Sequence, residues 1–220
     1  MTAQLPSIVE NRRFKSPAIT PQALAWHDDN LWLGSRDLRR VYGIDVNNWR
    51  VFEEREAPGI PWAAVSTADG IRFTIGEGEN DDRYMWSYAP GEGFSDSNRF
   101  AYPDFTGSYL SSDGSTIYMS QWYKGHILHL ANDGEVLRTI QIPGEISGHV
   151  LVDGSIYVLH GTEKDGENWT IAKFDPNSDR PEVQDLAVVP FACRSLTHDG
   201  KNFWSNFRAQ GETISFSLPD

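Results

Sequence analysis

Residues 109–118 read YLSSDGSTIY, which is a short strand, a turn with an aspartate and a glycine, and a second strand with an aliphatic residue followed by an aromatic one. The same pattern recurs at residues 23–32, 64–73, 149–157 and 195–204. Aspartate favours a tight turn because its side chain bonds nearby backbone, and glycine, which follows it in four of the five segments, accepts a positive φ. Each segment therefore predicts a β-hairpin.

The hairpins recur with a regular period. The turn aspartates are Asp28, Asp69, Asp113, Asp153 and Asp199, at intervals of 41, 44, 40 and 46 residues. A period of about 43 residues is the length of one four-stranded propeller blade. Third strands are expected at 41–46, 85–88, 126–130, 170–174 and 213–217, and fourth strands at 49–53, 99–102, 136–142 and 183–189. The sequence therefore predicts an all-β, five-bladed β-propeller of four-stranded antiparallel blades.

The fifth repeat has no fourth strand of its own. Residues 8–14, which include both apolar and polar side chains, precede the first repeat and are not part of any of the five repeats. We expect it to pair with the last blade, which closes the ring and covers an exposed edge. The predicted blades of this single domain, 1–220, are approximately 17–56, 57–103, 104–143, 144–190, and 191–220 together with 7–16.

Composition excludes several classes of partner. The 220 residues include 19 basic and 31 acidic side chains, a net charge of −12, which disfavours nucleic acid and anionic membrane surfaces. The single cysteine, Cys193, excludes an internal disulfide. The first residues show neither the basic nor the apolar region of a secretory signal, so a cytoplasmic location is expected. We expect a monomer or homodimer whose partner is a small-molecule ligand.

Two histidines of the fourth repeat are candidates for chemistry. In a propeller, the ends of the second strands and the connections between blades meet at one mouth of the central channel. His149 is predicted to begin a first strand and His160 to end the adjacent second strand, which would place them side by side. Such histidines act as general bases or bind metals. Glu77 would supply an oxygen ligand or a carboxylate partner. The alternatives are a solvated loop for Glu77 and bonds to loop carbonyls for the histidines.

Three arginines are predicted at the same mouth. Arg36, Arg194 and Arg208 belong to the first and fifth blades, which become neighbours when the ring closes. Planar guanidinium groups suit a carboxylate or another small anion. Salt bridges within the protein are the alternative.

Aromatic and amide side chains complete the predicted binding surface. Trp62 and Trp122 would wall the pocket with flat apolar area. Gln121 and Asn206, at the ends of second strands, are predicted to contact the substrate. Cys193 is either a nucleophile beside Arg194 or a buried thiol.

The hairpin repeat resembles the propeller superfamily that contains NHL repeats, gluconolactonases and virginiamycin B lyase. Gluconolactonase-like members hold a metal with acidic and amide groups at the channel, whereas the matching positions here include Gln22, Ala63 and Ser108. Lyase-like members use a channel histidine and a metal held partly by glutamate. That resemblance implies a role for His149 and a divalent metal, Mg²⁺ or Ca²⁺, with His149, His160 and Glu77 as candidate ligands.

Residues 104–114, DFTGSYLSSDG, are also similar to the Phe-Thr-Glu-Gly-Leu segment of glutaminyl cyclotransferases, some of which have five blades. The family's glutamate has no counterpart between Thr106 and Gly107. The resemblance therefore implies the fold and not the cyclase reaction.

Together these observations predict an enzyme of lyase or isomerase type that acts on a small anionic or aromatic substrate. His149 would be the general base, with His160 and Glu77 as its partners or as metal ligands. Arg194 and Arg208 would stabilise the developing negative charge. Hydrolysis is less favoured because no Ser-His-acid triad is apparent. The alternatives are a propeller that binds sugar or peptide without catalysis and a protein-interaction scaffold.

Overall fold

A computed structural model describes residues 4–164 and 167–219. Within them, twenty strands form five four-stranded antiparallel sheets in a ring, which confirms the predicted five-bladed propeller. None of the helical turns in these ranges is long and apolar enough to cross a membrane.

The strands of each blade are given from the channel outward. Blade one contains β2 (Pro21–His27), β3 (Asn30–Ser35), β4 (Arg40–Asp45) and β5 (Arg50–Glu56). Blade two contains β6 (Ile60–Thr67), β7 (Gly70–Glu77), β8 (Asp82–Ala89) and β9 (Gly93–Ala101). Blade three contains β10 (Leu110–Ser112), β11 (Ile117–Gln121), β12 (His126–Leu130) and β13 (Val136–Gln141). Blade four contains β14 (Glu145–Val152), β15 (Ser155–Thr162), β16 (Asn168–Phe174) and β17 (Gln184–Val189). Blade five contains β18 (Cys193–His198), β19 (Phe203–Phe207), β20 (Glu212–Ser217) and β1 (Val9–Lys15).

The N-terminal strand closes the last blade, as predicted. β1 pairs antiparallel with β20, from Val9 opposite Ser217 to Lys15 opposite Glu212. It also joins blade five to blade one, because Arg12 Nη2 donates to the Val46 carbonyl at 2.8 Å. The preceding residues extend to blade four, where the backbone nitrogen of Ile8 donates to the Val188 carbonyl at 3.0 Å. One segment therefore links three consecutive blades.

The innermost strands β2, β6, β10, β14 and β18 contact one another in sequence, and β18 contacts β2 to complete the ring. Apolar clusters lie between adjacent blades, and Trp32, Phe73 and Trp204 of the second strands are buried in them. The inner strands also carry buried polar side chains: Gln22, Ser111, Ser147, His149, Arg194, Ser195 and Thr197. The channel interior is therefore polar, while the apolar core lies between the blades.

The two ends of the ring have different connections. We call the end that carries the hairpin aspartates the turn face. There Asp113 Oδ1 accepts the backbone N–H groups of Ser115 and Thr116 at 2.8 and 2.7 Å, and Gly114 has a φ of +90°. We call the opposite end, where the second strands finish, the loop face.

Two short 3-10 turns shape the loop face. Residues Trp122–Lys124 follow β11, and Arg208–Gln210 follow β19. Each turn ends at a glycine in the left-handed region, Gly125 with φ 59° and Gly211 with φ 62°. That conformation favours glycine because it has no Cβ. A third turn, Pro103–Phe105, precedes β10. These turns set Trp122 and Arg208 at the channel mouth.

Candidate functional site

A cavity of about 270 Å³ opens at the centre of the loop face. We call it the central pocket. It brings together five of the predicted residues, which are Arg36, Trp62, Trp122, Arg194 and Arg208. It is also lined by six residues outside the predicted site: Gln22, Arg83, Ser108, Tyr109, Tyr123 and Glu163.

Arg194 is a cation whose charge is already balanced. Its side chain is almost fully buried on β18. Its guanidinium donates to Glu163 Oε1 at 2.6 Å and to both Glu167 oxygens, at 2.9 and 3.0 Å. Burial opposes the charge, but the hydrogen bonds that Arg194 donates to Glu167 outweigh it and raise the pKa of Arg194 above its ordinary value. Arg194 therefore fixes two carboxylates beside the pocket.

Arg208 has a different environment. Its Nη1 donates to the neutral Oε1 of Gln22 at 2.6 Å, and no carboxylate of the described residues lies within 4.0 Å of it. The side chain is half-buried. Burial, together with the nearby positive charge of Arg194, lowers the pKa of Arg208 from its ordinary value. Arg208 is thus a cation at the pocket wall with little compensation.

A hydrogen-bond chain extends from Arg208 to Tyr109. The Nε2 of Gln22 donates to the Tyr109 hydroxyl at 3.2 Å and to the Trp62 carbonyl at 3.3 Å. Burial raises the pKa of Tyr109 to about 12, so its hydroxyl keeps its proton at neutral pH. The hydroxyl can therefore serve as a hydrogen-bond donor at the pocket.

Trp62 lies between two further arginines. The Arg83 guanidinium is 4.0 Å from the Trp62 ring centroid, and that of Arg36 is 5.3 Å away. Arg83 is held by Asp81, with Nη2 to Oδ2 at 2.6 Å. Arg36 has only a 3.8 Å contact with the exposed Asp37, and such surface pairs contribute little.

The four guanidinium groups give the pocket wall a positive balance. Glu163 and Glu167 both pair with Arg194, and Asp81 pairs with Arg83, so the four positive charges exceed the three negative charges by one when the loose Asp37 contact is set aside. On a chain of net charge −12 this is a local reversal of sign.

Trp122 forms an apolar wall. Its ring packs against Trp169, with centroids 5.6 Å apart, and lies 5.3 Å from the Arg194 guanidinium. The indole Nε1 is buried and has no hydrogen-bond partner among residues 4–164 and 167–219. The next residue, Tyr123, is 89% exposed at the rim.

His149 is not at the pocket, contrary to the prediction. β14 begins at Glu145, so His149 is the fifth residue of the strand and lies inside the ring, fully buried. Its Nε2 donates to the Tyr109 carbonyl at 3.1 Å, which leaves Nδ1 to accept from the Ser111 hydroxyl at 2.8 Å. Burial lowers the pKa of His149 to about 4. Both ring nitrogens are occupied, and neither is free for a ligand.

His160 and Glu77 also lie away from the pocket. His160 pairs with Ile146 in the sheet, while His149 pairs with Val158, so the two histidines are not side by side. The His160 ring bonds the Pro143 carbonyl at 3.1 Å and Asp185 at 2.7 Å, towards the outer strand of its blade.

Glu77 accepts from the Trp86 indole at 2.7 Å and from Arg99 at 3.0 Å, within blade two. Across the two described ranges, no three His, Cys, Asp or Glu side chains form a cluster that would hold a metal. The residues present therefore do not fit the Mg²⁺ or Ca²⁺ site that the resemblance implied.

The remaining candidates lie outside the central pocket. Asn206 is fully buried and donates weakly to the Gln22 and Ala23 carbonyls, at 3.4 and 3.5 Å. Gln121 is buried and donates to Thr106 Oγ1 at 2.8 Å, outside the central pocket. Burial raises the pKa of the Cys193 thiol to about 12, which agrees with the buried-thiol alternative.

Four of the additional pocket residues differ in how far the sequence repeat places them. Gln22 and Tyr109 lie at the starts of inner strands, where the repeat predicts channel positions. Arg83 is the second residue of β8, and Glu163 directly follows β15, at the position that Arg36, Trp122 and Arg208 hold after their own second strands. The prediction missed Glu163 because β15 extends two residues beyond His160.

Comparisons with known proteins support the fold. No protein family matches the sequence, and no curated protein matches it significantly. Glutaminyl cyclase from Myxococcus xanthus matches with a TM-score of 0.70 and 12% identity, over 96% of this chain and 97% of that one. Regucalcin from Agrobacterium tumefaciens, a calcium-binding protein, matches with a TM-score of 0.59 and 11% identity, over 98% and 96%. Virginiamycin B lyase from Staphylococcus aureus matches with a TM-score of 0.56 and 13% identity, over 94% and 69%. The chain is thus a five-bladed β-propeller that shares the propeller fold of these proteins at low sequence identity.

Proposed function

We propose that the central pocket binds a small molecule through a planar anionic group, such as a carboxylate. The observation that carries this proposal is Arg208, a half-buried guanidinium held by a neutral amide and by no carboxylate of the described residues. A buried charge without a partner is costly. A bound anion would supply the missing partner.

The pocket also provides the rest of a binding site. A guanidinium fork donates two parallel hydrogen bonds to a carboxylate. Arg36 offers a second donor group, since its contact with Asp37 is long. Trp62 and Trp122 provide flat walls for the uncharged part of the ligand.

We further propose that the protein acts on this ligand by removing a proton next to a carbonyl, as in lyases and isomerases. Glu163 takes the place of His149 as the general base, since it is the single carboxylate on the wall of the central pocket among the described residues. Its side chain is 41% exposed, which leaves it accessible to a ligand.

In this reaction Glu163 takes a proton from the carbon, and the electron pair moves onto the carbonyl oxygen. Arg208 and the protonated Tyr109 hydroxyl would stabilise the negative charge on that oxygen. Return of the proton to another carbon gives an isomerase, and loss of a neighbouring leaving group gives a lyase.

The propellers of similar fold include a cyclase and a lyase but also a calcium-binding protein, so the fold is compatible with catalysis and with binding alone. Ligand binding without turnover is therefore the second candidate. The tightly paired state of Glu163, 2.6 Å from Arg194, favours it.

Hydrogen exchange would separate the two candidates. The protein is incubated in D₂O with small carboxylic acids that carry a C–H bond next to a carbonyl, and proton NMR follows the loss of C–H signal. We expect wild type to exchange at least one acid and Glu163→Gln to lose exchange while binding is retained. Binding without exchange across the panel would favour the non-catalytic candidate.

The binding step has its own test. Arg208→Met should weaken carboxylate binding by about tenfold or more, because a charged hydrogen-bonding partner is lost. Arg50→Met is the matched control, since Arg50 is exposed at the start of β5, on the turn face. Equal affinities of the two variants, measured by calorimetry, would contradict the anion site.

A further inference from the structure

We infer that the central pocket continues into a second compartment, and that its ligand is an elongated monoanion with a carboxylate at one end and an uncharged, flat apolar group at the other. The inference of a carboxylate end depends on the function proposed above. The inference of an apolar end is supported by a separate set of residues, between blades two and three.

The second compartment has a volume of about 270 Å³, equal to that of the central pocket. The two share four wall residues, which are Arg83, Ser108, Trp122 and Tyr123. They are therefore neighbouring parts of one depression on the loop face.

Three aromatic side chains line the second compartment, beside polar residues of blades two and three. Phe105 and Tyr123 are 47% and 89% exposed, and of the three aromatic residues only Phe105 is absent from the wall of the central pocket among the described residues. Phe105 packs edge-on against Tyr84, with centroids 5.9 Å apart. Its backbone, like that of Asp104, lies in the left-handed region with φ values of 53° and 56°. Residues other than glycine adopt that conformation at a cost, and such residues cluster at ligand sites.

The charges of the second compartment are paired, unlike those of the central pocket. Lys124 Nζ lies 2.7 Å from Asp104 Oδ2, and Arg83 is held by Asp81. The amide of Gln121 donates to Thr106. Among the residues that the structure describes, this compartment therefore offers no uncompensated charge to a ligand, whereas Arg208 offers one in the central pocket. The difference in charge orients the ligand, with its anionic end in the central pocket.

One ligand that spans both compartments would bind more tightly than either of its halves. Once the carboxylate is bound, the apolar group is held at a high effective concentration beside Phe105 and Tyr123. Burial of a flat apolar group is favourable because it removes apolar surface from water. An aryl or arylacyl group linked to a carboxylate has this chemistry.

Three probes separate the compartments. N-acetylglycine carries the carboxylate, 2-naphthamide carries the neutral ring system, and N-(2-naphthoyl)glycine carries both. We expect N-(2-naphthoyl)glycine to bind about tenfold more tightly than N-acetylglycine, as measured by calorimetry or NMR titration. Phe105→Ala should remove most of that gain and leave the affinity for N-acetylglycine unchanged. Phe52→Ala, at a similarly exposed phenylalanine on β5, is the control and should change neither.

The outcomes distinguish this inference from the proposed function. The inference of a second compartment is wrong if N-(2-naphthoyl)glycine binds no more tightly than N-acetylglycine, or if Phe105→Ala lowers the affinities for both compounds equally. The proposed central anion site is unaffected by either result. If Arg208→Met leaves both affinities unchanged while Phe105→Ala still weakens 2-naphthamide, the anion site is wrong and the bipartite ligand with it. Failure of all three probes to bind at millimolar concentration would overturn both.

Discussion

The loop face and the turn face are built by the same five blades, yet they differ in chemistry. On the turn face, each hairpin repeats an aspartate, and the mouth of the channel is lined by aliphatic side chains and by small polar ones such as Ser66, Ser111 and Thr197. On the loop face, blade one supplies Arg36, whereas blade three supplies Trp122. Residues that recur from blade to blade lie at the end of the ring that maintains the fold, and residues that differ between blades lie at the end that holds the pocket.

The comparison is sharpest between two arginines of the loop face. Arg194→Met would leave Glu163 and Glu167 without their cation, so we expect the free energy of unfolding to fall by about 3 kcal/mol. Arg208→Met removes a poorly compensated charge and should change stability by less than about 1 kcal/mol. Urea denaturation measures both. A similar loss in the two variants would contradict the distinction between a structural and a ligand-binding arginine.

The channel interior between the two faces should make the stability of the protein depend on pH. His149 has a pKa of about 4 in the folded protein, below its ordinary value of about 6.5. As the pH falls below about 6.5, the unfolded chain binds a proton that the folded protein does not, so stability decreases with falling pH. Between pH 7.5 and pH 5 this histidine should account for a loss of about 2 kcal/mol.

His149→Gln isolates that contribution, because the carboxylates titrate equally in both proteins. We expect the difference in unfolding free energy between pH 7.5 and pH 5 to be smaller in the variant than in wild type. An unchanged difference would show that the imidazole is not held neutral between Tyr109 and Ser111.

A substitution on the turn face should lower the stability of the protein and leave ligand binding at the central pocket unchanged. Asp113→Ala removes the acceptor for the Ser115 and Thr116 backbone N–H groups, at an expected cost of about 1 kcal/mol. Its affinity for N-acetylglycine should match that of wild type. A weakened affinity, measured by calorimetry, would show that the two faces are coupled.

The sequence predicted the fold because hairpin turns are encoded locally, by aspartate and glycine at a fixed place in each repeat. Arg36, Trp62 and Arg208 were predictable for the same reason, since each lies at a strand end or connection that the repeat positions. His149 was misplaced because β14 begins four residues before it, which moves the side chain from the mouth to the interior. Gln121 and Trp122 are adjacent in sequence, but a 3-10 turn begins between them, and only Trp122 reaches the central pocket.

Glu163 was missed for a related reason. β15 extends to Thr162, two residues beyond His160, where the sequence pattern placed the end of the strand, so Glu163 directly follows β15 as Arg36, Trp122 and Arg208 follow their second strands. Its pairing with Arg194, 31 residues away in sequence, is a tertiary contact that leaves no local pattern.

The pairing of β1 with β20 has a consequence for the order of folding. Arg13 bonds Glu212 across 199 positions of sequence, so the ring closes only when these distant parts of the chain meet. During synthesis, blades one to four can form from local hairpins as they leave the ribosome, while β1 stays unpaired until β20 has been made. Closing so long a loop costs entropy, and closure is therefore expected to be the late, slow step of folding.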